Sequence, residues 1–533
     1  MVSPSRIDRA DTGRSGVTIP RRPAARRGAR PEDLGWKFRW GPGRIRGGVR
    51  VRRLRFAIIG SGMAGILAAI RLREAGHDDV TVFEKADRLG GTWRENTYPG
   101  IACDVPSYVY SYSFEPNPDW SHRFSPGGEI QRYFEGVADR YGVTPLVRFS
   151  EEVTSLEWRD GAWDLRTSQG AEERFDVVIA ATGVLHHPNI PHFEGLETFR
   201  GAAFHSARWD HDVPLDGRRV GVIGTGSTAV QIATALIPRV ERFTLFQRTA
   251  QWVIRVDNPE ITDAEKERYR TDPAKLESVR AQLASAFRDA FSAAVIDADS
   301  PGIKAVEDQC RRNLEDSVVD PVLREKLRPN YRAACKRLIA SPDFYEKIQE
   351  PNAVLATEAI ERIEPEGVRT ADGTLHELDV LVLATGFKPD RFVRPTRVVG
   401  VDGVDLDDAW RTRPNAYLSV SVPGFPNLFL LNGPNGPVGN FSLIEVAEMQ
   451  MAYVMQLVDV LAEERARSVA ASAEASAAFE AERREAAMRT IWVTGCRSWY
   501  LDDEGIPASW TFTFQRFTDE MRAPKLDHYV LTS

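Results

Sequence analysis

Cysteine is scarce in this chain. There are four in 533 residues, Cys103, Cys310, Cys335 and Cys496, scattered along it with no Cys-x-x-Cys among them. That spacing argues against a dithiol–disulfide reductase, the natural rival for a chain with two nucleotide sites, and it fits a reducing, cytoplasmic setting. No apolar run is long enough to span a bilayer. Positive charge is not in excess: 69 Lys and Arg against 76 Asp and Glu give a net charge of −7, which leaves no electrostatic case for nucleic acid. His186-His187 has no companion ligands and reads as a loop pair, so no metal is expected. Residues 1–54 are rich in Arg, Gly and Pro and have no apolar segment of the kind a secretory signal needs. This stretch is expected to be a disordered basic extension, either a tether to an anionic surface or a dispensable tail from a start codon set too far upstream. The rest has an ordinary composition, 42% hydrophobic and 27% charged, enough for normal cores in two to four domains.

Two glycine loops follow short apolar strands. The first is Gly60-Ser61-Gly62-Met63-Ala64-Gly65, after Phe56-Ala57-Ile58-Ile59. Gly60 permits the tight turn, Gly62 lets the backbone approach a pyrophosphate, and Gly65 lets the helix pack close to the strand. The helix N-terminus offers free N–H groups to the anion. A second strand, Val80-Thr81-Val82-Phe83, ends in Glu84, an acid placed to accept from ribose hydroxyls. The second loop is Gly224-Thr225-Gly226-Ser227-Thr228-Ala229, after Val220-Gly221-Val222-Ile223. Ser227 and Thr228 can donate to phosphate, with Thr225 and Gly226 in the turn. Its second strand, Phe243-Thr244-Leu245-Phe246, ends in Gln247-Arg248-Thr249, without an acid. An Arg there suits a ribose 2′-phosphate and so NADP over NAD; its bland alternative is a surface Arg at a strand end.

The expected fold is therefore α/β, with two Rossmann-like dinucleotide-binding domains. Apolar strands ending in Ala181-Thr182-Gly183 and Ala384-Thr385-Gly386 read as crossings between them. A discontinuous first domain (55–185 and 380–533) then holds an inserted second domain (186–379), itself carrying a charged helical insertion over about 260–330. The region from Phe441 to Glu464 reads as one helix, and the end of the chain is aromatic, with Trp492, Trp499, Tyr500, Trp510, Phe512 and Phe514 folding back over core or cleft.

Further residues admit two readings each. Trp93, after Gly90-Gly91-Thr92, can pack near a flat ring. Asp104 can face a flavin or serve as a turn former before Pro106. Lys336-Arg337, after Cys335, can be a solvated pair or face a phosphate. His205, a lone histidine in a linker, is first of all structural.

Together these residues resemble the type I Baeyer-Villiger monooxygenases, a branch of the class B flavin monooxygenases. Phe199-x-Gly201-x-x-x-His205-x-x-x-Trp209-Asp210 matches that branch's diagnostic string, and Gly90 to Asp104 matches a second family pattern, Gly-Gly-x-Trp-x-x-x-x-Tyr-Pro-Gly-x-x-x-Asp. The resemblance runs from about residue 55 to the C-terminus. It implies FAD in the first domain and NADPH in the second. It makes Arg337 the active-site Arg, Asp104 the acid that pairs with it, and Lys336 and Arg248 holders of the 2′-phosphate. Tyr110 and Val153 match flavin-contacting positions, and His205 a linker residue that couples domain motion to catalysis. The reaction implied uses O2 and a small ketone: a C4a-peroxyflavin inserts oxygen beside the carbonyl to give an ester or lactone. An N- or S-oxygenating flavin-containing monooxygenase is the nearest alternative, and a non-catalytic flavin-bound protein a remote one. Thr97 and His186 depart from the family pattern, and the run from Trp492 to Tyr500 resembles the hydroxyacetophenone-oxidising side of the family. Neither feature identifies the ketone.

Overall fold

The computed structural model describes residues 52–288, 292–439 and 441–533. The basic extension expected over residues 1–54 lies, except for its last three residues, outside them.

Continuous apolar strands make two parallel sheets, because a strand covered on both faces needs no polar alternation. The first sheet runs Leu428–Leu430, Val177–Ala180, Phe56–Ile59, Val80–Phe83, Val147–Arg148. The second runs Ala353–Ala356, Arg242–Phe246, Arg219–Ile223, Val380–Leu383, Ala202–His205. In both, the strand leading into the glycine loop is central. The βαβ return strand lies on one side of it and the strand leading into an Ala-Thr-Gly turn on the other. Each turn therefore closes on a glycine loop: a Cβ on Gly60 would stand 2.7 Å from the Ala181 carbonyl oxygen, and one on Gly224 2.2 Å from that of Ala384. A return to the first domain at residue 380 was expected. Val380–Leu383 instead belongs to the second sheet, wedged between Arg219–Ile223 and Ala202–His205, so the chain leaves that sheet only after Leu383.

An antiparallel ribbon, Val153–Arg159, Ala162–Thr167 and Glu172–Phe175, covers one face of the first sheet, with Trp163 and Phe175 packed among Ala57, Ile59 and Phe83. Helices Met63–Glu74 and Leu443–Ala462 cover the other. The insertion forms helices Asp263–Thr271, Pro273–Phe287, Pro301–Ser317 and Pro321–Lys326, and it touches both halves of the molecule. Tyr269, Leu276 and Ala284 join the first core, while Leu314 and Leu327 join the second. The aromatic end folds back as expected of it. Trp510 is fully buried against Phe479, Phe512 and Phe517, and Tyr529–Thr532 pairs with Ser468–Ala471. Among the described residues no helix is long and apolar enough to cross a membrane.

Candidate active site

The two glycine loops are built alike. Gly60 takes a positive φ of 98° and Gly224 one of 125°, conformations that side chains rarely adopt. Gly65 is sterically required: a Cβ there would lie 1.9 Å from the Gly60 carbonyl oxygen. The helices that follow, Met63–Glu74 and Ser227–Leu236, have Gly62 and Gly226 at their N-caps, and no side chain caps either one. Neither glycine is crowded: a Cβ on Gly62 would make ordinary contact with Gly91 at 3.5 Å, and nothing lies within 4 Å of one on Gly226. Two uncapped helix N-termini with room in front of them fit two pyrophosphates. Thr225 seals the second loop by donating to the Thr249 carbonyl at 2.8 Å, and the Tyr98 phenol donates to Gln231 on the helix that follows, at 2.9 Å. Ala64 is buried beneath the first loop.

Glu84 is more heavily engaged than a ribose acceptor need be. One carboxylate oxygen accepts from the Ser61 N–H at 2.9 Å and its hydroxyl at 2.8 Å. The other accepts from the Ala86 N–H at 2.9 Å and faces Arg94 at 3.0 Å. A ribose hydroxyl would share or displace one of these donors. Trp93, in the short helix Thr92–Glu95, donates from its indole N–H to the Tyr110 hydroxyl at 3.2 Å, so these two aromatics share one wall. Val153 stands apart, in the apolar layer behind the first sheet with Ile59 and Phe83.

Across the cleft lie the cations. Arg248 is exposed at its strand end, and it and Lys336 are close enough that Arg248 depresses the Lys336 pKa, second only to burial. Lys336 lies over the Tyr331 ring at 4.5 Å, and among the described residues no acid pairs with either cation. Two neighbouring positive charges without a carboxylate repel each other, and a bound anion would relieve that repulsion. One residue on, Arg337 donates to Asp104, 233 positions away in sequence. Burial works against the guanidinium's charge, but Asp104 and the Tyr500 phenol outweigh it and hold the pKa above its ordinary value. The side chains of Arg337 and Asp104 keep 29% and 32% of their surface exposed, so the pair is partly open to solvent.

The linker string binds the two halves together. His205 is buried on the second sheet's edge strand. Its Nε2 meets the Gly386 carbonyl at 3.0 Å and its Nδ1 accepts from the Ala207 N–H at 3.1 Å. Those partners define a neutral ring with the proton on Nε2, and burial lowers its pKa. The contact fastens the linker to the second Ala-Thr-Gly turn. A Cβ on Gly201 would meet the Asp379 carbonyl at 2.3 Å and the Phe199 ring at 2.6 Å. Trp209 packs edge-on to Phe204, and the exposed Asp210 accepts from the Asp212 N–H. Arg208, inside the string, pairs with Glu95 at 2.5 Å, and His211 bonds Thr97 at 2.7 Å, so the linker is docked on the first domain.

A family model of flavin-binding monooxygenase-like proteins matches residues 53–263. A Baeyer-Villiger monooxygenase of Streptomyces coelicolor is 40% identical over 89% of this chain and 92% of its own length. One from Pseudomonas aeruginosa is 36% identical over 84% and 86%. The chain belongs to the Baeyer-Villiger monooxygenases. An uncharacterized monooxygenase of Mycobacterium tuberculosis is 47% identical over 86% of this chain and 92% of its own. Among solved structures, cyclohexanone monooxygenase from Rhodococcus sp. Phi1 bound to NADP+ superposes with a TM-score of 0.80 at 29% identity, and oxidized steroid monooxygenase bound to NADP with 0.81 at 28%. Each covers 90% of this chain and 99% of the other. As a Baeyer-Villiger monooxygenase, the protein is a flavoprotein that uses FAD and NADPH.

In this Baeyer-Villiger monooxygenase three features of the site escape the family strings. Arg94 braces Glu84, and Arg208 joins the linker to Glu95 of the first half. The cysteines, read above as a scattered set, include a bonded pair: Cys335 and Cys496 form a disulfide across 161 positions, their Cα atoms 6.1 Å apart. It ties the Arg337 segment to the aromatic tail. The one hint in the sequence is that both cysteines precede a basic residue in segments that also carry motif residues, Cys335-Lys336-Arg337 and Cys496-Arg497-Ser498-Trp499-Tyr500. Cys103 and Cys310 are free and buried.

Proposed function

We propose that this monooxygenase converts a small ketone to an ester or lactone, with Arg337 as the group that makes ketone oxidation possible. Bound FAD, reduced by NADPH, supplies the activation of O2. The protein's part is electrostatic. When a ketone is attacked, negative charge develops on its carbonyl oxygen, and a cation that cannot surrender its proton stabilises it throughout. Arg meets that requirement; a buried Lys can deprotonate. Asp104 holds the guanidinium through a charge-assisted hydrogen bond. The two uncapped helix N-termini receive the pyrophosphates, one in the discontinuous first domain and one in the inserted second. Arg248 and Lys336 receive the 2′-phosphate of NADPH, and Trp93 and Tyr110 wall the flavin side. Acting through Gly386, His205 keeps the linker in register with the second glycine loop. A cytoplasmic location is part of the proposal, and there the Cys335–Cys496 bridge would meet cellular thiols. The observation that carries the reading is the partly exposed Arg337–Asp104 pair, formed between segments 233 positions apart in sequence.

The experiment is a ketone panel (cyclic, aromatic, steroid and long-chain) given to the FAD-loaded protein with NADPH and 18O2, alongside one thioether. Ester carrying one 18O atom is the expected product. Sulfoxide alone would instead place the enzyme with the heteroatom oxygenases, and NADPH consumption with only H2O2 formed would refute both readings.

A further inference from the structure

The segment after Cys496 does more than cover the core. Tyr500 is 4% exposed and packs with Ala334, Cys335, Ile491, Trp492 and Cys496 against the loop that carries Arg337. Its ring is flanked by Trp499 at 4.2 Å and Trp492 at 5.5 Å between centroids. Its phenol oxygen stands beside Arg337 Nη1, both atoms lying against Gly439, and because a guanidinium only donates, the phenol oxygen can only accept from it. Gly439 closes the arrangement from the third side. At φ 86°, a Cβ on it would lie 2.1 Å from the Tyr500 oxygen and 2.7 Å from Arg337 Nη1. Nη2 goes to Asp104.

A planar guanidinium held at one corner can still swing about that contact. Held at two, its plane and its remaining N–H directions are fixed. We infer that Tyr500 is a positioning residue for Arg337, and that the contact sets how much of the NADPH consumed ends as ester and how much as H2O2. The two outcomes balance as ketone + O2 + NADPH + H+ → ester + NADP+ + H2O, and O2 + NADPH + H+ → H2O2 + NADP+. The inference rests on the role proposed for Arg337. The Cys335–Cys496 bond, two residues before Arg337 and four before Tyr500, holds the two segments together so that the contact forms.

Tyr500→Phe removes only the acceptor. In the FAD-loaded full chain, with cyclohexanone as probe, ester formed per NADPH should fall about tenfold, the size expected for one lost hydrogen bond to a charged group. H2O2 should rise to match, while FAD content and the NADPH KM stay as in the wild type. Gly439→Ala, which pushes the phenol off the guanidinium, should shift the same ratio. A second readout needs no turnover: 3-fluorotyrosine placed at position 500 and titrated by 19F NMR. Because the Arg337 cation favours the phenolate, Arg337→Ala should raise the titration midpoint by about one pH unit. An unchanged ester-to-H2O2 ratio in Tyr500→Phe, or an unmoved 19F midpoint, overturns the inference. A wild-type enzyme that forms no ester from any ketone would instead refute the proposed ketone oxidation, and the 19F midpoint would then decide the contact alone.

Discussion

Arg248 and Arg337 are both arginines at the cleft, yet their surroundings assign them different work. Arg248 is exposed, beside Lys336 and without a carboxylate partner among the described residues, so its charge is available to an incoming anion. Arg248→Ala should raise the KM for NADPH about tenfold, the value of one charge-assisted contact, and leave that for NADH nearly unchanged. Steady-state kinetics with both nucleotides check this, and equal effects would put the 2′-phosphate elsewhere. His186 offers a pH test. Its Nδ1 lies 3.3 Å from Lys85 Nζ, which can only donate, so the ring's proton sits on Nε2, a buried atom with no partner among the described residues. Burial first, then Lys85 and His187, lower its pKa to about 3. The folded pKa lies below the unfolded one, so the stabilisation is complete above about pH 6.5 and is lost as pH falls toward 3. Between pH 7.5 and 5.5 the wild type should lose about 1 kcal/mol more stability than His186→Gln in urea unfolding. Equal losses would contradict the assignment. Residues whose job is local were legible in the sequence, because Gly60, Gly62 and Gly65 act over six positions of backbone. Asp104 and Arg337 were paired only through the family pattern, since no local rule joins residues 233 positions apart. Tyr500 was invisible as their partner because its place depends on how the tail folds.

At the scale of elements, the strands were readable as short unbroken apolar runs and the helices as longer periodic ones. Sheet membership was not. Val380–Leu383 looks like any buried strand, and only its pairing with Arg219–Ile223 and Ala202–His205 puts it in the second sheet. Gly65 shows how tightly the first loop is packed: Gly65→Ala puts a methyl 1.9 Å from the Gly60 carbonyl oxygen, so the helix must retreat from the strand. The purified variant should retain less than a tenth of the wild-type FAD per chain by absorbance, on the order of the 1–3 kcal/mol that overpacking costs. Full retention would mean the loop is looser than this geometry. The disulfide belongs to this scale too. Closing a loop of 161 residues stabilises by up to about 5 kcal/mol in a chain-entropy account. Dithiothreitol should therefore lower the melting temperature of the wild type and leave that of a Cys335→Ala/Cys496→Ala variant unchanged. No difference between the two would show that the bridge carries no stability.

The whole molecule is two copies of one idea facing each other: a parallel sheet, a glycine loop at the end of its central strand, and an Ala-Thr-Gly turn packed against the loop. The halves meet through Gly100, where a Cβ would fall 2.4 Å from the Gln231 carbonyl of the facing helix, through Arg208 and Glu95, and through helices of the insertion that reach both cores. Arg337 arrives from the second half and Asp104 from the first, so the pair proposed to act on the ketone exists only when the halves are together. The measurement that tests this account most directly is ester formed per NADPH consumed, compared between wild type and Arg337→Ala at equal FAD content. The account predicts that Arg337→Ala still binds FAD and oxidises NADPH but forms ester more than about a hundredfold more slowly, as expected for the loss of about 3 kcal/mol of oxyanion stabilisation. Ester formation at the wild-type rate would contradict it.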